Sequence, residues 1–275
     1  MTPRQYLLIF GPGYCGAAVA REAAASGYAV TALGREAGTA AMDALATATH
    51  LLSTVPPGAE GDPVLARHGA AIAAAPGLRW IGYLSATSVY GDRGGGTVDE
   101  ETPPAPTGER GRRRLAAERA WESVAGGVGL DIFRLAGIYG PGRSVFAALR
   151  SGQARRVVKP GHAFGRIHRD DIVAAVLAAM RAPPAGRRAL NLTDDEPAES
   201  AAVIAEAARL LGVPAPPATA FAEAYAAMSP IARSFWDENR VVLSRRTRAA
   251  LGLAWRYPSY REGLKAILAE EAGER

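Results

Sequence analysis

Apolar positions in the first half of the chain gather into short runs separated by longer amphipathic stretches. Residues 6–10, 28–33, 50–55, 80–85 and 130–134 are of strand length and carry little charge, the pattern of strands buried on both faces. Between them, residues 17–26, 63–75 and 115–124 have helical spacing, the first stopped by Gly27. Strands alternating with helices predict an α/β fold with a doubly wound parallel sheet. The rest is less regular. A helix over 170–181, capped by Asp170 and Asp171, precedes a strand over 189–192 and a helix over 199–211, ended by Gly212 and Pro214. Residues 245–251 and 260–269 read as two closing helices, and 214–217 as a stiff connector. Asp92-Arg93-Gly94-Gly95-Gly96 reads as a flexible surface loop near a ligand mouth. Residues 1–150 are expected to form the core domain. Residues 151–275 are expected to form a small C-terminal α/β lobe, with some return to the core.

The first strand runs into Gly11-Pro12-Gly13-Tyr14-Cys15-Gly16, a G-x-G-x-x-G that opens a helix. Gly11 permits the sharp turn, Gly13 lets the backbone approach a pyrophosphate, and Gly16 allows close helix–strand packing. The helix N-terminus adds free N–H donors and positive potential. This predicts a Rossmann-type dinucleotide site. The second strand ends Leu33-Gly34-Arg35, with no carboxylate at its tip for a ribose 2′-OH. Arg35 suits a 2′-phosphate, so NADP is the expected cofactor, with NAD through Glu36 as the alternative. Only residues 36–49 separate the second and third runs, room for one helix at ~1.5 Å per residue. The outer third strand of a full Rossmann sheet is therefore expected to be missing, with one helix.

Composition narrows the class. A chain of 275 residues with 48% hydrophobic and 21% charged positions is a well-cored globule. No apolar run nears the ~20 residues of a membrane span, no signal peptide is expected, and no membrane partner is expected. One cysteine, Cys15, excludes an internal disulfide framework and suits a reducing cytoplasm. No His, Cys, Asp and Glu positions have metal-ligand spacing, so no metal is expected. The net charge of +5 rests on 32 basic residues, of which only Lys159 and Lys265 are lysines. Such a balance also marks nucleic-acid binders, but a lysine-rich tail and an aromatic-interleaved basic strip are both lacking. Arg35, Arg110, Arg114, Arg134, Arg143 and Arg166 instead fall around the expected cleft. The expected partner is a small anionic or sugar-like molecule and not a nucleic acid, with the protein a monomer or homodimer.

Several motifs together resemble the extended short-chain dehydrogenase/reductases, the NAD(P)-dependent epimerase/dehydratase group. They are the glycine turn, Leu84-Ser85-Ala86-Thr87-Ser88-Val89-Tyr90-Gly91, and Arg134-Leu135-Ala136-Gly137-Ile138-Tyr139-Gly140-Pro141-Gly142-Arg143. Arg166-Ile167-His168-Arg169-Asp170-Asp171-Ile172, Asn191-Leu192-Thr193-Asp194-Asp195-Glu196-Pro197 and Tyr257-Pro258-Ser259-Tyr260 continue the set. Leu52-Ser53-Thr54-Val55-Pro56-Pro57 and the arginine cluster at 110–114 resemble an atypical, YeeZ-like subgroup. The resemblance implies cofactor contacts from Gly11, Gly13, Tyr14, Cys15, Gly16, Ser53, Val55, Pro56 and Arg114. The family's Ser, Tyr and Lys catalytic positions correspond to Ala86, Arg110 and Arg114. Arg110 titrates above ~12 and cannot act as a tyrosine-like acid/base, whereas Arg114 can still hold a ribose or phosphate as a fixed cation. Strand alternation aims Ser85 and Thr87 away from the face of Ala86.

The expected activity is that of an oxidoreductase or epimerase/dehydratase-like enzyme lacking the usual triad. A catalytically silent NADP-binding sensor or scaffold is the alternative. Substrate candidates are Thr87, Tyr90, Arg110, Tyr139, Arg143, Arg166 and His168, with Tyr90 and Tyr139 as walls of the cleft. Arg110, Arg112, Arg113 and Arg114 are expected either to form an anion pocket or to stand as a solvated cluster. Lys159 is a candidate cleft cation. His168 also reads as a structural cap on the following helix, and Cys15 as a small buried filler.

Overall fold

A computed structural model describes residues 5–34 and 38–273. The chain runs β1 (Tyr6–Phe10), α1 (Tyr14–Ala25), β2 (Ala29–Leu33), α2 (Ala40–Thr47), β3 (His50–Ser53) and α3 (Pro63–Ala73). There follow β4 (Trp80–Ala86), a 3-10 turn (Thr87–Tyr90), β5 (Thr97–Val98), α4 (Glu109–Ala125), β6 (Gly129–Leu135) and β7 (Gly137–Tyr139). Next come α5 (Val145–Arg150), β8 (Arg156–Val158), β9 (Arg166–His168), α6 (Arg169–Arg181), β10 (Arg187–Leu192) and α7 (Ser200–Leu211). The chain closes with β11 (Ala218–Ala220), α8 (Phe221–Ala226), α9 (Pro230–Trp236), β12 (Val241–Val242), α10 (Arg245–Leu251) and α11 (Tyr260–Gly273).

Six strands form one parallel sheet in the order β10-β6-β4-β3-β1-β2. Alternation along each strand splits the core in two. Leu7 and Ile9 of β1 pack with Val19 of α1 and Ile172 and Val176 of α6. Leu8 and Phe10 face the other way, with Leu45 of α2, Val64 and Ile72 of α3 and Trp121 of α4. The sheet is thus doubly wound, as expected. No strand lies outside β2 among the described residues, because α2 returns the chain directly to β3. A third cluster, with Phe146, Val203, Tyr260 and Leu264, packs α5, α7 and α11 together, while β10 joins the main sheet beside β6.

Helix α4 starts six residues earlier than its apolar spacing implies. Its first turn is polar, held by Glu109 to Arg112 and Arg113 ion pairs, and packs through Gly111, where a Cβ would strike the Ser88 carbonyl. The loop expected to be flexible is tied down. Arg93 and Gly95 donate their N–H groups to the Asn239 carbonyl at 3.0 Å, and Asp92 Oδ1 accepts from Asn239 N–H at 2.7 Å. Asp170 and Asp171 do not cap α6. His168 does, its ring Nδ1 accepting the Asp170 N–H at 3.2 Å. Asp171 instead takes the N–H groups of Arg256 and Tyr257.

Candidate active site

The turn after β1 is shaped by its glycines. Gly11 has φ +94°, and Thr54 Oγ1 donates to its carbonyl at 2.6 Å. A Cβ on Gly16 would run into that same carbonyl, so the helix can start this close to the strand only without a side chain. Gly13 differs, because a Cβ there would meet nothing within 4 Å. It is the N-cap of α1, no side chain caps the helix, and no acidic residue stands in the first turn. The leading N–H groups and the positive helix end are therefore left for an anion in that open space. Ser53, at the end of β3, is buried with its hydroxyl unpartnered, while Val55 is half-buried and Pro56 exposed. This cradle fits a dinucleotide pyrophosphate.

Tyr14 donates to the Pro141 carbonyl at 2.9 Å, with the guanidinium groups of Arg143 and Arg169 over its ring at 5.6 and 5.4 Å. Cys15 turns its side chain into the core, and burial pushes the thiol up to about 11, which leaves it inert. Arg35 lies outside the described residues.

The carboxyl ends of β4 and β6 open into a cavity of about 530 Å³. Ala86, Thr87 and Ser88 line it from β4 and the 3-10 turn, and Gly108, Glu109 and Arg110 from the start of α4. Residues 135–139 and 163–166, with Ser234, Phe235, Trp236, Glu238 and Arg240, complete most of the wall. Thr87 corrects the expectation from alternation: the chain leaves the strand at Ala86, and the 3-10 turn swings Thr87 and Ser88 into the wall. Ser85 keeps the strand geometry and donates to Glu118 Oε1 at 2.6 Å. Ser88 has a buried hydroxyl with no partner. Arg110 stacks on the Phe235 ring at 4.0 Å and donates to Ser234 Oγ at 3.3 Å. Burial, with Arg114 nearby, lowers its pKa, yet a guanidinium stays charged in a protein.

Other residues expected in the cleft are turned elsewhere. Arg114 donates back to the Tyr83 hydroxyl at 3.2 Å and the Leu84 carbonyl at 2.8 Å and does not line the cavity. Arg112 and Arg113 face outward on Glu109, so the arginine cluster contributes only Arg110. Tyr90 is fully buried, donating to Asn191 Oδ1 at 2.8 Å and accepting from Arg134 at 3.0 Å, so it is no cleft wall. Arg134, 2% exposed, is paired with Glu118 at 2.8 Å. Lys159 donates to the Trp236 carbonyl at 2.6 Å and sits 4.2 Å over Phe221. Each of these charges and hydroxyls found an internal partner that strand periodicity does not reveal.

Tyr139, Arg166 and Ser200 stand where this cavity meets a second one of about 380 Å³, lined also by Arg143, Ser144 and Tyr260. Arg166 Nη1 donates to the carbonyls of Phe164 and Ala198 at 2.8 and 3.0 Å. Burial lowers its pKa as well. Asp194 lies beside it, Oδ1 accepting from the Arg166 N–H at 3.4 Å and Oδ2 unpartnered, and burial pushes this carboxyl up to about 8. Tyr139 donates to the Ser259 carbonyl at 3.3 Å, and burial raises its pKa far above the usual phenol, which makes it a poor acid. His168 lines neither cavity. Its ring packs against Tyr139 and Tyr257, and burial holds it down to about 4, so it acts as the neutral cap of α6. Sequence reasoning missed Asp194, Ser200 and the α9 residues. Asp194 stands next to Asp195 in a quoted motif, and only burial sets the two apart. Among the described residues no helix is long and apolar enough to cross a membrane.

No family model matches the chain. Protein YeeZ of Escherichia coli K12 is 34% identical over 137 residues, 49% of this chain and 47% of its own length. The chain thus aligns with about half the length of that relative. The 3-diazoavenalumate denitrifying reductase of Streptomyces sp is 30% identical over 239 residues, 79% of this chain and 76% of its own. A solved structure of a functionally unknown conserved protein from Silicibacter pomeroyi DSS superposes with TM-score 0.89 at 44% identity, covering 97% of this chain and 99% of its own. Human epimerase family protein SDR39U1, solved with NADPH, shares the fold at TM-score 0.77 and 18% identity, covering 96% and 99%. The chain belongs to the atypical extended short-chain dehydrogenase/reductases, a family of oxidoreductase-like enzymes.

Proposed function

We propose that this chain binds NADP and acts as an oxidoreductase on a small anionic substrate without the family's Ser-Tyr-Lys triad. The observation that carries the reading is the bare, uncapped glycine turn at Gly13, set at the carboxyl end of the same sheet as the cavity. The NADPH in the human relative and the reductase name of the Streptomyces relative support it. The α1 N–H groups hold the pyrophosphate, the free Ser53 hydroxyl bonds the dinucleotide, and Arg35 takes the 2′-phosphate. When bound, the nicotinamide supplies or accepts hydride. Ala86 and Arg110, at the Ser and Tyr positions, form cavity wall without a titrating hydroxyl. Arg110 instead stabilises negative charge developing on a substrate oxygen from the cavity wall.

One observation favours a second reading, a dinucleotide-binding sensor without turnover: Arg114 is bonded back onto β4 rather than free for a ribose. Calorimetric titration with NADPH and NADH, on wild type and on Arg35→Ala, separates these claims. NADPH is expected to bind at least tenfold tighter than NADH, a difference of about 1.4 kcal/mol, and Arg35→Ala to erase the difference. Equal affinities, or selectivity unaffected by Arg35→Ala, refute NADP. Stereospecific hydride exchange with a substrate refutes the sensor.

A further inference from the structure

Several enclosed guanidinium groups of this chain are held in ion pairs. Arg134 is matched by Glu118 at 2.8 Å, Arg188 by Asp131 at 2.7 Å, and Arg240 by Glu238 at 2.7 Å. Exposed Arg110 and half-buried Arg166 make no ion pair among the described residues, and both line the main cavity. Glu109 and Glu238, the acidic groups in that wall, are already engaged, the first by Arg112 and Arg113, the second by Arg240, Thr107 and the Gly108 N–H. Asp194 makes no ion pair with the Arg166 guanidinium: its Oδ1 accepts the Arg166 backbone N–H, its Oδ2 has no hydrogen-bond partner, and burial raises its pKa. The cavity wall therefore carries two guanidinium groups that no ion pair engages.

The same wall carries the apolar side chains of Leu135, Ile138, Phe164, Phe235 and Trp236. Arg166 spends only Nη1 on protein carbonyls, and its Nε and Nη2 have no partner among the described residues. Two parallel N–H groups on one guanidinium edge match one carboxylate in bidentate fashion. A diphosphate would need donors to more oxygens than a single edge supplies.

We infer that the substrate is a compact organic acid, a carboxylate on an apolar body, with its carboxylate seated on Arg166 and its body against Phe164, Phe235 and Trp236. Arg110 then faces the part of the molecule away from the acid group. This rests on the cavity being the substrate site, as proposed above.

The test is calorimetry on the full chain, alone and saturated with NADPH. The probes are benzoate, trans-cinnamate and indole-3-acetate, each beside its carboxamide, with phenyl phosphate and UDP-glucose as competitors. At least one carboxylate is expected to bind, its carboxamide about tenfold or more weaker, since charge-assisted hydrogen bonds are worth about 1.5–3 kcal/mol. Arg166→Gln loses the same factor, and Arg166→Lys recovers part of it. The inference is overturned if no carboxylate binds, if carboxamides bind equally, if Arg166→Gln binds like wild type, or if phenyl phosphate or UDP-glucose binds more tightly. Should Arg166→Gln fail to fold, the carboxylate–carboxamide pairs on wild type decide. NADPH binding without carboxylate binding sinks this inference alone. Carboxylate binding without NADPH binding sinks the proposed oxidoreductase and leaves this inference standing.

Discussion

Arg134 and Arg166 are both largely enclosed arginines, and the chain treats them in opposite ways. Around Arg134 every donor direction is answered: Nη2 and Nε reach Glu118 at 2.8 and 3.2 Å, and Nη1 reaches the Tyr90 hydroxyl at 3.0 Å. Tyr90 passes the chain on to Asn191. Around Arg166 one nitrogen is satisfied by two neutral carbonyls, and Asp194 beside it accepts only the backbone N–H, with burial raising its carboxyl's pKa. The first arginine fastens helix α4 to strand β6. The second keeps a positive edge in a cavity wall, an arrangement that contributes little to folding and suits an incoming anion.

Breaking the compensated pair has the largest effect. Glu118→Gln leaves Arg134 buried without its counter-charge, and also weakens the contacts to Ser85 and Arg187. Urea denaturation is expected to show a loss of about 3–5 kcal/mol. A loss under 1 kcal/mol would mean that Arg134 does not depend on Glu118.

The protonation of Asp194 is next. Its folded carboxyl sits at about 8 against an ordinary 3.8, so the folded chain keeps a proton that the unfolded chain releases. Stability from this group therefore falls as pH rises from about 4 to about 8 and is level above that window. Asp194→Asn removes the slope: it matches wild type near pH 4 and exceeds it by about a few kcal/mol near pH 8. Parallel stability curves for the two proteins would show an ionised Asp194, which would compensate Arg166 and erase the contrast.

The smallest effect is expected at Arg166 itself. Arg166→Gln should lower unfolding stability by about 1–2 kcal/mol, because it weakens the hydrogen bonds to the Phe164 and Ala198 carbonyls but breaks no ion pair. A loss as large as that of Glu118→Gln would place Arg166 among the structural arginines.

The main sheet was legible because five of its strands are continuous apolar runs and the helices between them carry clear punctuation. That no strand lies outside β2 among the described residues followed from simple length, since the described residues 38–49 hold only α2. The glycine turn was legible because two of its glycines have steric tasks, visible as φ +94° at Gly11 and as a blocked Cβ at Gly16. The cavity was not. Arg110, Tyr139, Arg143 and Arg166 do line cavity walls, but Tyr90, Arg114, Arg134 and Lys159 are turned to internal partners far away in sequence, and periodicity carries no information on such pairings. Strands of two or three residues such as β5, β9 and β12 have too few positions to show a period. The α9 wall, with Phe235 and Trp236, is placed by tertiary packing around His162, Phe164 and Phe221.

The central claim is that the glycine turn holds a dinucleotide pyrophosphate, and Gly13 tests it most directly. Gly13 has φ −81° and free space for a Cβ, so Gly13→Ala folds without strain and fills only the space assigned to the ligand. Calorimetric titration of NADPH into wild type and Gly13→Ala should show binding to the first and at least tenfold weaker binding to the second, about 1.4 kcal/mol, at unchanged melting temperature. NADPH binding of equal strength to both proteins, or to neither, would contradict the account.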